Sequence, residues 1–462
     1  MLSRLRLRNF KAWRDTGTLE LAPLTILFGS NSSGKSSINH FLMMLRQSVQ
    51  SPDRNNVFDF GDENAAVRLG SFRDVVFGHD LARQLEFEMD WSLSSSLLVR
   101  DPRSRERFAG DRLRFHGAAR QPPGRSRTTQ SEGFRYELMD GNEVSLAVAM
   151  ERDDKRTNRW RLRADRYDLV RAKGRAWELP KPVQFYGFPS EAIVYYQNSA
   201  FLSDLELALE DRLSSVSYLG PLRSPPEPLY NWSGNEPDGV GWRGRDAVQA
   251  ILAAQGRSLN WKPKARTIPF EKVMARWLKQ MGLVHSFSVE EIAPNRSEYE
   301  VKVKTHARAE EVRMTDVGFG VSQVLPVIVQ SFYAKPHSTV LIEQPEIHLH
   351  PAVQANLADL FVAATTARED SEEREVQLIV ESHSEHLLRR LQRLIAEEKI
   401  TEQQVALYFC YGGGPAGSVI DRLEVDTYGD ILNWPPDFFG DELADVAVQA
   451  EVGMQRRIHM HG

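Results

Sequence analysis

Apolar residues fall along this chain in three rhythms, and each predicts a different element. Leu24-Thr25-Ile26-Leu27-Phe28, Ser338 to Ile342 and Val376 to Val380 are short, nearly unbroken apolar runs. Such runs predict strands buried on both faces. Leu85 to Trp91 and Val144 to Val148 instead alternate apolar with polar, as half-exposed strands do. Met1 to Arg8 alternates leucines with basic residues, which predicts an edge or hairpin strand and excludes a signal peptide. The third rhythm is helical. Residues 268–282 place Phe270, Val273, Trp277 and Met281 on one face. Ile38 to Val49, Val321 to Tyr333, Pro351 to Thr366 and Glu385 to Glu398 also read as helices, the last exposing Arg389, Arg390 and Arg393.

Two stretches lack these rhythms. Arg100 to Arg135 is rich in Arg, Gly, Pro and Ser, which predicts a long mobile loop. Gly220 to Gly244 is dense in turn residues. No internal repeat or long heptad run is visible. The result is an α/β fold interrupted by a β-rich middle. Residues 1–79 form its first half, 80–310 a β-rich and helical insertion, 311–410 the second half, and 411–462 a short C-terminal domain.

Composition narrows the class. The 462 residues suffice for two or three domains, with the hydrophobic and charged content of an ordinary soluble protein. A net charge of -5 argues against a generally basic nucleic-acid coat but permits a local basic groove. The single cysteine, Cys410, sits in the strand-like Val405 to Tyr411, excludes an internal disulfide and suits a reducing compartment. No apolar run reaches the roughly 18 residues of a membrane span, so a cytoplasmic protein is expected.

Candidate chemistry begins at Gly29-Ser30-Asn31-Ser32-Ser33-Gly34-Lys35-Ser36, which fits G-x-x-x-x-G-K-[ST] between a predicted strand and helix. Backbone amides from Gly29 through Asn31, Ser33 and Gly34 to Ser37 would cradle the β- and γ-phosphates. Lys35 would add positive charge and the Ser36 hydroxyl would bind Mg²⁺. The competing reading is a Gly/Ser-rich turn that binds nothing. The strand at Val340 ends in Glu343-Gln344-Pro345-Glu346, placing a carboxylate where an Mg²⁺ shell needs one. The strand at Val376 leads to Glu381-Ser382-His383, whose imidazole could sense a γ-phosphate. Thr315 to Gln323 opens a helix with Gly318 and Gly320, and its Gly320, Ser322 and Gln323 would face outward as a second anion site.

In this order, the four motifs resemble the ATPase heads of ATP-binding-cassette proteins. The likeness is closer to bacterial AAA-family proteins related to SMC, RecF and OLD proteins. It extends to Leu5-Arg6-Leu7-Arg8-Asn9-Phe10-Lys11, Glu343 to Pro351 and Glu381 to Ser384. Gly70 to Asp74, Leu219 to Arg223 and the tail from Asp430 to Phe439 are weaker likenesses, the tail resembling a short C-terminal domain of unknown function. The resemblance implies an ABC-type head, a mixed sheet flanked by helices, using ATP and Mg²⁺ with Ser36 and Glu343 on the metal. It also implies a homodimer, possible seed of a larger assembly, in which Ser322 and Gly320 of one copy meet the γ-phosphate held by Lys35 of the other.

One position departs from the pattern. Where a catalytic glutamate is expected after Glu343, the chain has Gln344, which can hold a water but cannot take its proton. Slow hydrolysis is therefore expected, with Glu346 and Glu381 as nearby alternative carboxylates. His348, His350, His383 and His386 could suggest zinc, but His348 and His350 suit a loop after the acidic strand better. Three functions compete. The first is an ATPase switch controlling a separate effector, a nuclease or toxin, in phage defence. The second is a repair ATPase clamping DNA through Arg100 to Arg135 or Lys262, Lys264 and Arg266. The third is a self-contained nuclease, disfavoured because fewer than about a hundred residues follow His383.

Overall fold

The computed structural model describes residues 1–104, 106–122, 128–153, 159–174, 178–435, 448–449 and 452. Its organising element is a sheet in the order 216–219, 339–343, 377–381, 24–29, 405–411 and 419–423. The first five strands are parallel and the last is antiparallel. Alternate residues of the apolar runs enter two separate cores. Ile26, Ile342 and Val380 face one, while Leu27, Leu341 and Ile379 face the other. Covering on both faces is why these strands read as unbroken apolar runs.

On one face lie the helices Phe270–Gln280, Phe319–Tyr333, Pro351–Thr365 and Glu385–Ala396. On the other lies Lys35–Gln50, which follows the phosphate loop and buries Ile38, Phe41, Leu42 and Leu45. That helix is sandwiched against a second, antiparallel sheet built from 13–15, 2–10, 85–100, 107–120, 130–140, 143–152 and 160–165. Leu2–Phe10 is inside this sheet rather than at its edge, paired with Trp13–Asp15 on one side and Leu85–Arg100 on the other. The sheet thus runs across residue 79 without a break, and Val216–Leu219 from the middle of the chain joins the parallel sheet.

The expected mobile loop at Arg100 to Arg135 is corrected. Arg107–Arg120 and Gln130–Asp140 are long paired strands. Phe108, Leu113, Phe115 and Ala119 point inward, and arginines occupy outward positions that composition alone made look like loop. Arg114 pairs with Asp90 at 3.0 Å, Arg120 with Glu132 at 2.7 Å and Arg135 with Asp165 at 2.9 Å. Residues 105 and 123–127 of that stretch lie outside the described residues, as does the Pro436 to Phe439 part of the tail that carries the weaker likeness. Asp421, Glu424, Asp426 and Asp430 fall on a strand and turn, where the Asp426 carboxylate accepts from the Tyr428 and Asp430 amides.

Candidate nucleotide-binding site

The C-terminal tips of three adjacent parallel strands, ending at Gly29, Glu343 and Glu381, converge at one edge of the sheet. Ligands of parallel α/β sheets bind at such edges, where the following loops open away from the strands. Gly29 has φ +139° and a Cβ there would lie 2.1 Å from the Cys410 carbonyl oxygen, so only glycine lets the loop leave the sheet. Gly34 has φ +92°, and its carbonyl accepts from the Trp13 indole at 3.0 Å.

Lys35 is buried and its Nζ donates to the carbonyls of Gly29 at 3.0 Å and Ser30 at 2.7 Å. Burial lowers its pKa, while Glu381 opposes the shift. The Ser36 hydroxyl and Lys35 lie close enough to the Glu381 carboxylate to oppose the rise that burial gives its pKa. Glu343 is reached by the Tyr218 hydroxyl, and its Oε1 lies 3.4 Å from His40 Nε2. Burial raises the pKa of Glu343, Glu346 and Glu381 alike, and Glu381 raises that of Glu343 further.

The loops between these strands hold the remaining residues. Gln344 has a left-handed φ of 44°, its amide donates to the Glu381 carbonyl at 2.8 Å, and its side-chain nitrogen is 3.4 Å from His383 Nε2. The His383 amide donates to Glu346 at 2.6 Å. Burial and Lys35 lower the His383 pKa, so its ring is neutral near pH 7. Expected residues Gly29, Lys35, Ser36, Glu343, Gln344, Glu346 and His383 are therefore in one place. Asn31, Ser33 and Ser37 lie on the same loop and helix start.

Ser322 differs from expectation. It is 5% exposed, and its hydroxyl donates to the Phe319 carbonyl at 2.9 Å instead of facing outward. The outward residue is Phe319, 70% exposed. Helix geometry accounts for this, since a serine one turn in satisfies a carbonyl of its own helix. Gly320 and Gln323 flank it.

Pattern reading missed the residues that hold the site from elsewhere in the chain. Arg223 donates to the carbonyls of Glu343 at 2.9 Å and Gln344 at 3.1 Å, and burial lowers its pKa to about 10. His40 is brought down to about 4, by burial and then by Lys11, whose Nζ lies 3.4 Å from His40 Nδ1. Leu219 to Arg223 was visible only as a weak likeness.

The donors suit a hard cation. Glu346 Oε2 and Glu381 Oε2 are buried without a hydrogen-bond partner, Glu343 Oε1 has only the His40 ring at 3.4 Å, and the Ser36 hydroxyl lies at Glu381. Among the described residues no three His, Cys, Asp or Glu side chains are disposed as a complete metal set. A cation here would complete its shell with phosphate and water, as Mg²⁺ does. His350 instead caps Pro351–Thr365, accepting from the Ala352 amide at 3.3 Å. Cys410 is buried, and burial raises its thiol pKa. No helix of the described residues is long and apolar enough to cross a membrane.

Residues 279–389 match the AAA domain family whose description names an AbiEii toxin of a type IV toxin–antitoxin system. Residues 400–449 match a family of proteins of unknown function, DUF3696. The strand, glycine-rich loop, helix and acidic strand tip together have the arrangement of a phosphate-binding site on a parallel α/β sheet. No curated protein matches the chain. Among solved structures, an SMC head bound to the C-winged helix domain of ScpA is 12% identical, covering 92% of this chain and 98% of its own, with a TM-score of 0.44. The SMC head domain from Thermotoga maritima is 10% identical, with coverages of 92% and 99% and a TM-score of 0.40. A Pyrococcus furiosus SMC head with an extended coiled coil, bound to the C-terminal domain of ScpA, is 11% identical, with coverages of 92% and 96% and a TM-score of 0.43.

Proposed function

We propose that this chain is an ATPase switch whose two copies close around ATP and release on hydrolysis, controlling a separate effector protein. The observation that carries the reading is the convergence of Lys35, Ser36, Glu343, Gln344, Glu381 and His383 on one sheet edge. In that site the loop amides and Lys35 bind the β- and γ-phosphates, and Ser36 with Glu343 holds Mg²⁺. Bound Mg²⁺ supplies charge neutralisation at the phosphate oxygens.

Gln344 orients the attacking water, its backbone fixed by Arg223, and His383 contacts the γ-phosphate. Without a carboxylate at position 344 no acid stands at the usual place to take the proton, which must pass to Glu346 or Glu381 instead, so turnover is slow and the closed state persists. Closure needs the Gly320 to Gln323 segment of the second copy, and exposed Phe319 would lead that contact. A role in antiviral defence is supported by the toxin–antitoxin description of the family matched at 279–389. DNA clamping through Arg100 to Arg135 is the weaker reading, because Arg114, Arg120 and Arg135 are already paired with acids of the same sheet.

A complementation experiment tests the composite site. Lys35→Ala and Ser322→Arg chains should each be inactive alone, and mixing them should restore about one quarter of ATPase activity through heterodimers with one intact site. No recovery on mixing, with both variants folded, would rule the composite site out.

A further inference from the structure

The face of the head away from the phosphate site carries a groove of about 530 Å³. Its floor is apolar, made by Trp261, Ala265, Trp277, Val362, Ala363 and Leu394. Its rim is basic: Lys262, Arg266, Arg276 and Lys399 are all exposed, and none has an ion-pair partner among the described residues. The two acids at the groove are already neutralised, Asp359 by Arg390 at 2.8 Å and Glu397 by Arg393 at 2.6 Å. Four positive charges, of which only Lys399 lies in the field of a groove acid, Glu397, thus surround an apolar floor on a chain whose net charge is -5.

We propose that this groove docks an acidic, apolar-anchored segment of a separate protein. Charge complementarity selects the sign of the partner, and the floor selects a side chain to bury. The floor also argues against nucleic acid. A single strand would need free aromatic faces for stacking. Trp277, the larger part of the floor, is 7% exposed and stacked on Phe332, which leaves it no free face.

The position suits the control of an effector. Two helices that line the groove near their C-terminal ends, Pro351–Thr365 and Glu385–Ala396, begin at the site loops that carry Glu346 and His383. Ser384 Oγ and Gln354 Oε1 tie their first turns at 2.7 Å. His383 thus stands at the start of a helix whose other end lies at the groove. That purpose rests on the switch reading, whereas the groove's own chemistry is testable without nucleotide.

The test is selection of random twelve-residue peptides displayed on phage against the nucleotide-free full chain, with counter-selection on Arg266→Glu/Arg276→Glu. The expected result is a consensus combining Asp or Glu with a large apolar residue. Its synthetic peptide should lose at least about tenfold in affinity on Arg276→Glu and on raising salt from about 50 to 300 mM. Binding should be unchanged in Lys35→Ala, so failure of the nucleotide reading would leave this result standing. All these side chains are exposed, and single Lys262→Glu and Lys399→Glu variants replace the double variant should it not fold. The proposal is overturned by the absence of a consensus, by a consensus without acids, or by binding indifferent to charge reversal. A labelled single-stranded oligonucleotide whose binding depends on Arg266 and Arg276 would overturn it as well.

Discussion

Glu343 and Glu381 stand side by side at the tips of adjacent parallel strands, paired in register, yet their carboxylates engage different partners. Glu343 meets Tyr218 and His40, and Glu381 meets Ser36 and Lys35. Two buried acids this close repel unless a cation or proton lies between them. Glu343→Gln and Glu381→Gln should each raise the Mg²⁺ concentration needed for half-maximal thermal stabilisation by ATP, by at least about tenfold. Titrating Mg²⁺ at fixed ATP in a melting assay checks this; unchanged Mg²⁺ dependence in both variants would refute a metal role.

Arg223 should behave as a positioning residue. Its guanidinium clamps the carbonyls of Glu343 and Gln344, so Arg223→Ala should lower kcat at least about tenfold while leaving the KM for ATP within a few fold. Removing it takes this donor from the Glu343 carbonyl, while the Gln344 carbonyl keeps the Ile347 amide at 3.3 Å, costing on the order of 1–3 kcal/mol of stability. Steady-state kinetics below the variant's melting transition separates the two effects. A change confined to KM would contradict the role.

Gln344→Glu restores a proton acceptor beside His383. Turnover should rise about tenfold or more, since general-base catalysis is typically worth about 10²–10⁴ and crowding a fourth carboxylate offsets part of it. Unaltered or reduced phosphate release would show that the base is not what limits hydrolysis.

Glu206 lies well away from the phosphate loop, and burial raises its pKa from 4.5 to about 7. The folded state then holds its proton more tightly than the unfolded chain. Stability from this group is therefore fully present below pH 4.5 and is lost as pH rises toward about 7. Glu206→Gln keeps an oxygen for the Phe188 amide and removes the charge. It should stabilise the protein by on the order of 1–2 kcal/mol at pH 8, a gain that fades by about pH 4.5. Melting curves of both proteins across that range check the sign.

The parts of the molecule with short-range causes were the legible ones. Phosphate-loop glycines, the buried strands at Leu24, Val340 and Leu378, and the helix face of Phe270, Val273 and Trp277 each follow from neighbouring residues. Arg107–Arg120 misled because its outward arginines, with two buried glycines, gave it a loop-like composition, although Phe108, Leu113 and Phe115 carry an inward pattern. Arg223 and His40 were invisible as site residues because folding brings them to Glu343 from 120 positions away and from the phosphate-loop helix. Ser322 was misplaced because outward presentation depends on helix rotation, which spacing alone leaves open.

Sedimentation velocity of the full chain with and without ATP and Mg²⁺ tests the switch most directly. A stable dimer should form only with ATP and Mg²⁺, persist for many minutes because Gln344 slows hydrolysis, and fail to form in Lys35→Ala. Identical sedimentation of the wild-type chain in both conditions, or an ATP-induced dimer that survives Lys35→Ala, would contradict it.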